Sequence, residues 1–222
     1  MTGTELSSNL GLRLEDPAES IFTESAKRDA INLAQKSVVN MLHNGYLTEL
    51  EGATDTVNLQ VAEGYPLFNS KYQIFANLFT GGSPIRGGIT GVKDVTNGKW
   101  CTMIESGDFK RLENSYLDGT TSNPVAWVYR EVVFVRPSSC NTIQVTYLQS
   151  PTDFTSETMA DECELNPALQ EIVLDFAESQ LWRMDAKPDR AQLSYNNALA
   201  MIKTLNDRYA IDGPEGIGTK GR

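Results

Sequence analysis

The sequence has little of what catalytic and membrane-spanning proteins depend on. Its 222 residues include one histidine and three cysteines, and no stretch approaches the roughly 20 apolar residues that span a bilayer. The first residues lack the basic and apolar order of a signal peptide, so we expect a soluble, unprocessed chain. A Ser-His-Asp or Cys-His nucleophile system needs an imidazole base. The one candidate, His43, stands beside Asn44-Gly45 at a predicted helix end, which is typical of a structural role.

The cysteines are too few and too widely spaced for a disulfide framework or a zinc site. Cys101, Cys140 and Cys163 are odd in number and include no C-x-x-C pair, so we expect reduced, structural thiols. The glycine-rich stretches 81–88 and 216–220 lack, respectively, the Gly-Lys-Ser/Thr ending and the following helix that a phosphate-binding loop needs. Because no pair of carboxylates stands out as an acid and a base, the sequence predicts no enzyme, no cofactor and no metal.

Basic residues are nearly missing from one long segment. Residues 137–185 contain one Lys or Arg and nine Asp or Glu, within a chain of net charge −10. Five of these acids fall just before a predicted helix: Asp153, Glu157, Asp161, Glu162 and Glu164. Such a surface repels phosphate and does not hold DNA by counterion release. The sequence leaves three interpretations open: a solvated face, an acidic wall that DNA passes without binding, or a face that meets a basic partner.

The strongest helical pattern runs over residues 166–209. Its apolar residues recur at three- and four-residue steps in two blocks, which predicts two helices folded back on each other. Asn166 is a suitable N-cap and Pro167 fits the first helical position. Lys187 and Pro188 separate the two helices, because a proline can begin a helix but cannot continue one.

A second long helix is predicted over residues 24–44, and together with the hairpin it forms a small bundle. Phe176 and Ile202, at the centres of their apolar stripes, are expected in the bundle core. Residues 1–20 show no clear period. The brief alternation of three leucines there predicts an arm that adds to a neighbour.

Between the helices the pattern changes to the alternation of strands. Asn97-Gly98 is the strongest short hairpin signal in the chain. The three tryptophans, Trp100, Trp127 and Trp182, each fit an apolar stripe and are expected in the core. The predicted elements of this region are strands at 57–61, 89–95 and 99–105, a short helix at 108–117 and a β unit at 125–148.

The sequence therefore predicts an α+β fold. A small α-helical bundle, made of the N-terminal long helix and the C-terminal helical hairpin, carries an inserted antiparallel β-rich region. The predicted divisions are an N-terminal arm at 1–20, the bundle at 21–50 and 165–210, the β-rich region at 51–164 and a flexible tail at 211–222.

Several short segments of the chain follow one another in a recognisable order and spacing. They are Thr23-Glu24, Ala30-Ile31-Asn32, Asn123-Pro124-Val125-Ala126-Trp127, Val133-Phe134-Val135-Arg136-Pro137, Thr142-Ile143-Gln144-Val145-Thr146-Tyr147, Ser150-Pro151, Asn166-Pro167-Ala168-Leu169, Arg190-Ala191-Gln192 and Tyr195. In this arrangement the chain resembles the head-to-tail adaptor (connector) proteins of tailed bacteriophages. The likeness covers about residues 20–210 and is strongest from Asn123 onward.

The resemblance implies a structural role without catalytic residues. Proteins of this family form a ring, expected here to be a dodecamer, which lies below the portal protein, extends the DNA channel and docks the tail or nozzle protein. DNA would pass through during genome ejection without specific binding. The protein would be made in the host cytoplasm and act in the virion at the head-tail junction, with no membrane involved. The resemblance also implies that the tail docks on the portal through Ile211, Ile217, Lys220 and Arg222, and that the five acids line the channel or face a partner.

Two other classes of function stay open. One is a β-rich tail or receptor-binding module of a virion, which predicts a monomer or a trimer. The other is an uncharacterised hydrolase that uses the acids around Glu157 to Glu164, and it predicts turnover with a metal or sugar requirement.

Overall fold

The computed structural model describes residues 1–61, 70–74, 78–79, 89–104, 119–129 and 131–212, with the backbone alone at 61 and 209–212. The fold is mixed α+β, as the sequence predicts. The chain divides into two compact units. Met1–Leu50 and Ser150–Arg222 form the first, here the helical unit, and Glu51–Gln149 form the second, the sheet unit. The predicted helix at 108–117 and the two glycine-rich stretches lie outside the described residues.

The helical unit is built from four helices within the described residues. They are α1 (Gly3–Arg13), α2 (Glu24–Met41), α3 (Pro167–Met184) and α4 (Pro188–Asp212), with 3-10 turns at Asn44–Tyr46 and Thr48–Leu50. Helix α3 packs against each of the other three, and α1 also packs against α2. The apolar stripe of α3 is therefore the centre of this unit.

Helix α1 corrects the prediction that residues 1–20 form an arm that adds to a neighbour, because it packs on helices of its own chain. Thr2 and Glu5 form a reciprocal capping box at its start. Leu6, Leu10 and Leu14 are fully buried at four-residue steps, whereas Leu12 is 66% exposed. The apparent alternation of leucines in the sequence was thus a helical repeat with one leucine on the outer face.

The predicted N-terminal caps of α2 and α3 are confirmed. The Thr23 hydroxyl accepts the Ala26 N–H and begins α2, which ends at Met41, three residues earlier than predicted. The Asn166 side chain accepts the Ala168 N–H at 3.0 Å, with proline at the first helical position of α3. The expected burial of Phe176 and Ile202 is confirmed.

Helices α2 and α4 flank α3 and approach each other where they end. The side chain of Asn206 in α4 accepts the His43 N–H at 2.9 Å and donates to the Met41 carbonyl at 3.0 Å. Nearby, the Tyr46 hydroxyl donates to the Leu205 carbonyl at 2.9 Å. These bonds satisfy groups at the end of α2 and fix the two helices on either side of α3.

The sheet unit contains two five-stranded sheets. Its strands are β1 (Glu51–Ala53), β2 (Val57–Asn58), β3 (Gln60–Val61), β4 (Lys71–Ile74), β5 (Ile89–Asp94), β6 (Lys99–Trp100), β7 (Thr102–Ile104), β8 (Val125–Tyr129), β9 (Val132–Arg136) and β10 (Thr142–Leu148). One sheet has the order β1-β10-β5-β6, with β2 also paired to β10, and the other has the order β3-β4-β9-β8-β7. The prediction of an antiparallel region is wrong for β7 and β8, which pair in parallel.

Each of two predicted strands pairs first in one sheet and then in the other. The strand predicted at 57–61 divides at Leu59 into β2 and β3, and the one predicted at 99–105 divides at Cys101 into β6 and β7. Leu59 and Cys101 pack into the core that the two sheets share, with Val92, Val133 and Val145. Strands that change sheets in this way form the corners of a β-sandwich. The Asn97-Gly98 hairpin is confirmed between β5 and β6, with Gly98 at φ 66°.

Candidate functional site

The acidic segment forms an irregular loop, residues 153–164, that lies in the helical unit. The sequence assigned these residues to the β-rich region at 51–164, and the packing of the chain corrects that boundary to 149. All five acids singled out from the sequence are exposed: Asp153, Glu157, Asp161, Glu162 and Glu164. We call this segment the acidic loop.

Helix α2 holds the start of the acidic loop. The Asn32 side chain donates to the Phe154 carbonyl and accepts the Phe154 N–H, both at 2.9 Å. One turn further along α2, the Lys36 ammonium lies 2.6 Å from an Asp153 carboxylate oxygen. The paired amide bonds fix the loop backbone as a neighbouring strand would, and Phe154 is buried beneath it.

Helix α1 holds the other half of the loop. The Gly3 N–H donates to the Asp161 carbonyl at 3.1 Å, and the Thr4 N–H donates to the Met159 carbonyl at 2.8 Å. A Cβ atom at Gly3 would lie 2.8 Å from the Phe154 ring, so the close approach of helix and loop requires glycine. The free N–H groups at the start of α1 thus find their acceptors in the acidic loop.

Two of the five loop acids have partners. Asp153 pairs with Lys36, and both Glu164 carboxylate oxygens accept hydrogen bonds from Thr152, at 2.9 Å from its N–H and 2.8 Å from its hydroxyl. Within the described residues Glu157, Asp161 and Glu162 have no ion pair. The anchored loop therefore presents three unneutralised carboxylates to solvent at fixed positions.

The loop surrounds a small open depression of about 80 Å³. It is lined by Thr152, Asp153, Phe154, Thr158, Asp161, Glu162 and Glu164. In the part of the chain that the structure describes, no three His, Cys, Asp or Glu side chains are grouped closely enough to hold a metal ion. The chemistry that the loop offers is repulsion of anions and attraction of cations.

The acids that follow the loop in sequence do not extend its charge. The Arg13 guanidinium of α1 contacts Glu171, lies 2.6 Å from Asp175 and 3.8 Å from Glu178, all on α3. Burial raises the pKa of the Asp175 carboxyl, and the hydrogen bond and charge of Arg13 act in the opposite direction. Asp185 in turn pairs with Lys187 at 2.7 Å. Within residues 153–185, the acids without an ion pair therefore all lie in the acidic loop.

No protein-family model matches the chain, and no curated protein matches it. The likeness to head-to-tail adaptors thus rests on the residues that carry it.

The thiols and the histidine have structural environments. Cys101, Cys140 and Cys163 are free and buried, and burial raises the pKa of each, that of Cys101 to about 12. A protonated thiol is a poor nucleophile, so these groups are unreactive at neutral pH. The ring of His43 accepts the Gly45 N–H at 3.1 Å through Nδ1 and caps a 3-10 turn. The sequence predicted a structural role for this ring at a helix end, and the ring caps the turn that follows α2.

Most of the C-terminal residues that the sequence assigns to portal docking are not described by the structure. Ile217, Lys220 and Arg222 lie outside the described residues. Ile211 belongs to the last turn of α4, which continues to Asp212 rather than ending at 210 as predicted. Ile211 is therefore helical, and the flexible tail predicted to begin at 211 does not include residues 211 and 212.

Sequence reasoning missed several large apolar side chains on the surface. Trp100 was expected in the core, but it is 57% exposed on the edge strand β6, with the Lys93 ammonium 5.9 Å from the ring centre. Leu33 on α2 and Leu193 on α4 are 56% and 63% exposed. Both leucines lie outside the apolar stripe of their helix, and this position, which the sequence shows, could have predicted their exposure. Among the described residues no helix combines the length and apolar character that crossing a bilayer requires.

Proposed function

We propose that this protein is the structural head-to-tail adaptor of a tailed bacteriophage, a ring below the portal protein that extends the DNA channel and docks the tail. The observation that carries the proposal is the acidic loop. It is fixed by hydrogen bonds to α1 and α2, and it exposes three carboxylates that have no cationic partner among the residues that the structure describes.

A ring would repeat this loop once in every subunit. Closely spaced carboxylates of one sign create a negative potential, which keeps the phosphate backbone of DNA from adhering to the wall. A channel for genome ejection needs this property, because each phosphate contact with a Lys or Arg strengthens binding and slows passage. The rigid anchoring of the loop supports the same role, since a mobile loop would allow cations from elsewhere on the chain to neutralise it.

The proposal takes the chain as a helical bundle with an inserted β-rich region. The two parts of the helical unit precede and follow the sheet unit in sequence, so both ends of the insertion are tied to the bundle. A bundle that carries the ring contacts and an insertion that carries a separate docking surface would let one subunit meet both the portal and the tail.

The C-terminal tail is assigned to portal docking in this proposal. Its composition, with four glycines and one proline among residues 211–222, provides too few side chains to form a core of its own. Ile211 and Ile217 would supply apolar anchors, and Lys220 and Arg222 would meet acidic groups of the portal.

The decisive experiment is assembly with the portal. The purified chain, alone and mixed with portal protein of the phage that encodes it, would be examined by mass photometry and negative-stain microscopy. We expect a ring on the portal, with a central opening wide enough for DNA. Deletion of 213–222, which leaves α4 intact, should keep the melting temperature and abolish association with the portal. A monomer or trimer that ignores the portal would contradict the proposal.

One observation favours the β-rich tail or receptor-binding module as the second candidate. The exposed Trp100 of the edge strand β6 lies beside the half-buried Lys93 of β5, and Lys99 of β6 adds a second cation. Exposed aromatic side chains of this kind are enriched at binding surfaces. Binding of a receptor ligand that Trp100→Ala abolishes, without any ring, would favour this candidate.

A further inference from the structure

Helix α4 has an exposed face without charge. Leu193, Asn197, Ala200 and Thr204 follow one another at steps of four, three and four residues, and all are exposed. No charged residue occurs between Arg190 and Lys203. These four residues, here the α4 seam, have the spacing with which one helix packs against another.

Helix α2 presents a similar face. Leu33, Ser37 and Met41 follow at steps of four residues, with Leu33 and Met41 exposed and Ser37 half-buried. We call them the α2 seam. The Ser37 hydroxyl donates to the Leu33 carbonyl at 2.9 Å, and in the α4 seam the Thr204 hydroxyl donates to the Ala200 carbonyl at 2.8 Å. Covering either seam would therefore leave these hydroxyls hydrogen-bonded within their own helix.

The two seams lie on two different helices of the helical unit. Both helices pack on α3, and they meet near the Asn206 side chain, where α2 ends. Leu33 in one seam and Leu193 in the other are exposed in the single chain, so the chain does not pair its own seams. Two different faces that pair between copies make a heterologous contact, which closes into a ring or continues as a filament.

The charges beside the seams are complementary. The acidic loop lies next to the α2 seam, since Asn32 and Lys36 of α2 hold its first residues. Beside the α4 seam, Lys203, Asp207 and Arg208 are exposed, which gives this rim a net charge of +1. Neither cation has an ion pair among the residues the structure describes. Opposite charges at the rim of an apolar contact set its register and speed association.

We propose that the α2 seam of one copy packs against the α4 seam of a second copy, with the acidic loop facing Lys203 and Arg208. The inference rests on the proposed ring and names the surfaces that would build it. Three unpaired loop carboxylates meet two cations, so the loop keeps a net negative charge for the DNA channel. The basic partner of the acidic loop is then the next subunit.

Single substitutions test the contact. Leu33→Glu and Leu193→Glu each place a carboxylate in one seam, and we expect either one to abolish the oligomer that the wild-type chain forms in sedimentation velocity and mass photometry. Leu12→Glu is the matched control, because Leu12 is as exposed but lies on α1, outside both seams. It should leave the oligomer intact. Circular dichroism melts of all three variants show whether each remains folded.

Mixing the two seam variants tests the head-to-tail geometry. Each variant keeps one intact seam, so each alone should be a monomer, whereas an equimolar mixture should give a one-to-one dimer and nothing larger. If α4 seams paired with each other instead, Leu33→Glu alone would dimerise, and the proposal would be wrong. A charge exchange identifies the rim: Lys203→Glu should weaken assembly, and Glu157→Lys in the same chain should restore it.

The outcomes separate this inference from the proposed function. A wild-type ring that persists in both seam variants overturns the seam contact and leaves the adaptor role standing. A wild-type chain that stays monomeric at the highest concentration it reaches in solution also overturns the self-association proposed here. Failure of the adaptor role shows in a different readout, as a wild-type chain that does not associate with the portal.

Discussion

The helical unit and the sheet unit differ most in where their charge lies. The helical unit contains 11 Lys or Arg and 20 Asp or Glu, whereas the sheet unit contains 8 and 9, so nearly all of the net charge belongs to one half of the protein. In the sheet unit, the buried Asp94 carboxylate accepts both the N–H and the side-chain amide of Asn97, and it thereby fixes a hairpin turn. In the helical unit, acids stand exposed on an anchored loop.

This contrast separates charged groups that stabilise the fold from charged groups that are exposed to solvent or to a partner. A buried carboxylate with every oxygen satisfied is part of the local structure, as at Asp94. Exposed acids of one sign without partners contribute little stability, since they repel one another. Their place on a loop that two helices hold is the reason for which the channel-wall role is proposed for the helical unit.

The largest effect should come from the core of the helical unit. Phe176 of α3 packs edge-on against Tyr195 of α4, with 5.5 Å between ring centres. Phe176→Ala should cost about 3–5 kcal/mol of unfolding free energy through lost burial and a cavity. Urea unfolding followed by far-UV circular dichroism measures it. Phe134→Ala makes the same substitution in the core of the sheet unit and serves as the comparison. A loss of unfolding free energy below about 1 kcal/mol for Phe176→Ala would mean that the apolar stripe of α3 is not a core.

The next effect should come from the arginine that neutralises α3. Arg13→Ala leaves the partly buried Asp175 without its cation, and we expect a cost of about 1–3 kcal/mol, discounted from the value for a fully buried pair because Arg13 is partly exposed. The loss of unfolding free energy in Arg13→Ala should become smaller as the pH falls toward the ordinary aspartate pKa of 3.8, since a protonated carboxyl no longer needs the guanidinium. Arg28→Ala, whose nearest carboxylate is 3.8 Å away, is the control and should change stability by less than about 0.5 kcal/mol. An equal loss in both variants would contradict this account.

Asp16 should produce a smaller effect with a distinct pH dependence. Its carboxylate accepts the Ser20 hydroxyl and the Ser20, Ile21 and Phe22 N–H groups, which hold its pKa well below the usual range. A depressed pKa gives stability that is present above the unfolded value of 3.8 and is lost as the pH falls toward the folded value. Asp16→Asn should therefore lower stability at neutral pH and remove part of the acid sensitivity. Unfolding free energies that fall equally with pH in both proteins would contradict this assignment.

The sequence predicted well those features that are decided locally. The caps at Thr23 and Asn166 and the hairpin at Asn97-Gly98 depend on a few neighbouring residues, and each is present in the structure. Helix α1 was missed because the alternation of leucines was taken as the signal. The capping box and the four-residue spacing of its buried leucines would have identified it.

Features decided by distant contacts could not be predicted. An alternating pattern shows that residues 57–61 and 99–105 are extended, but not that each stretch leaves one sheet at its middle residue and joins the other. For the candidate site, the sequence identified the five acids but not which of them have partners. Asp153 is paired by a lysine 117 positions away in sequence, and the acids of α3 by an arginine of α1. Pairing at such separations depends on the fold, and it decides which acids remain free to act.

The smallest effect on stability, and the sharpest test of the contrast between the units, comes from reversing charge on the acidic loop. Glu157→Lys with Asp161→Lys alters two exposed side chains that form no ion pair with any residue the structure describes, so the unfolding free energy should change by less than about 0.5 kcal/mol for each. Asp55→Lys with Glu131→Lys makes the same change of net charge on exposed acids of the sheet unit. Because the loop substitutions also weaken the proposed rim contact with Lys203, both variants are compared at a protein concentration at which each forms the ring. If the loop forms the channel wall, DNA should then bind the assembled loop variant with a steep salt dependence, each new phosphate contact adding about 0.9 to the logarithmic slope, and should bind the sheet variant weakly. Equal DNA binding by the two assembled variants would show that net charge alone matters, and the loop would then be a solvated face without a channel role.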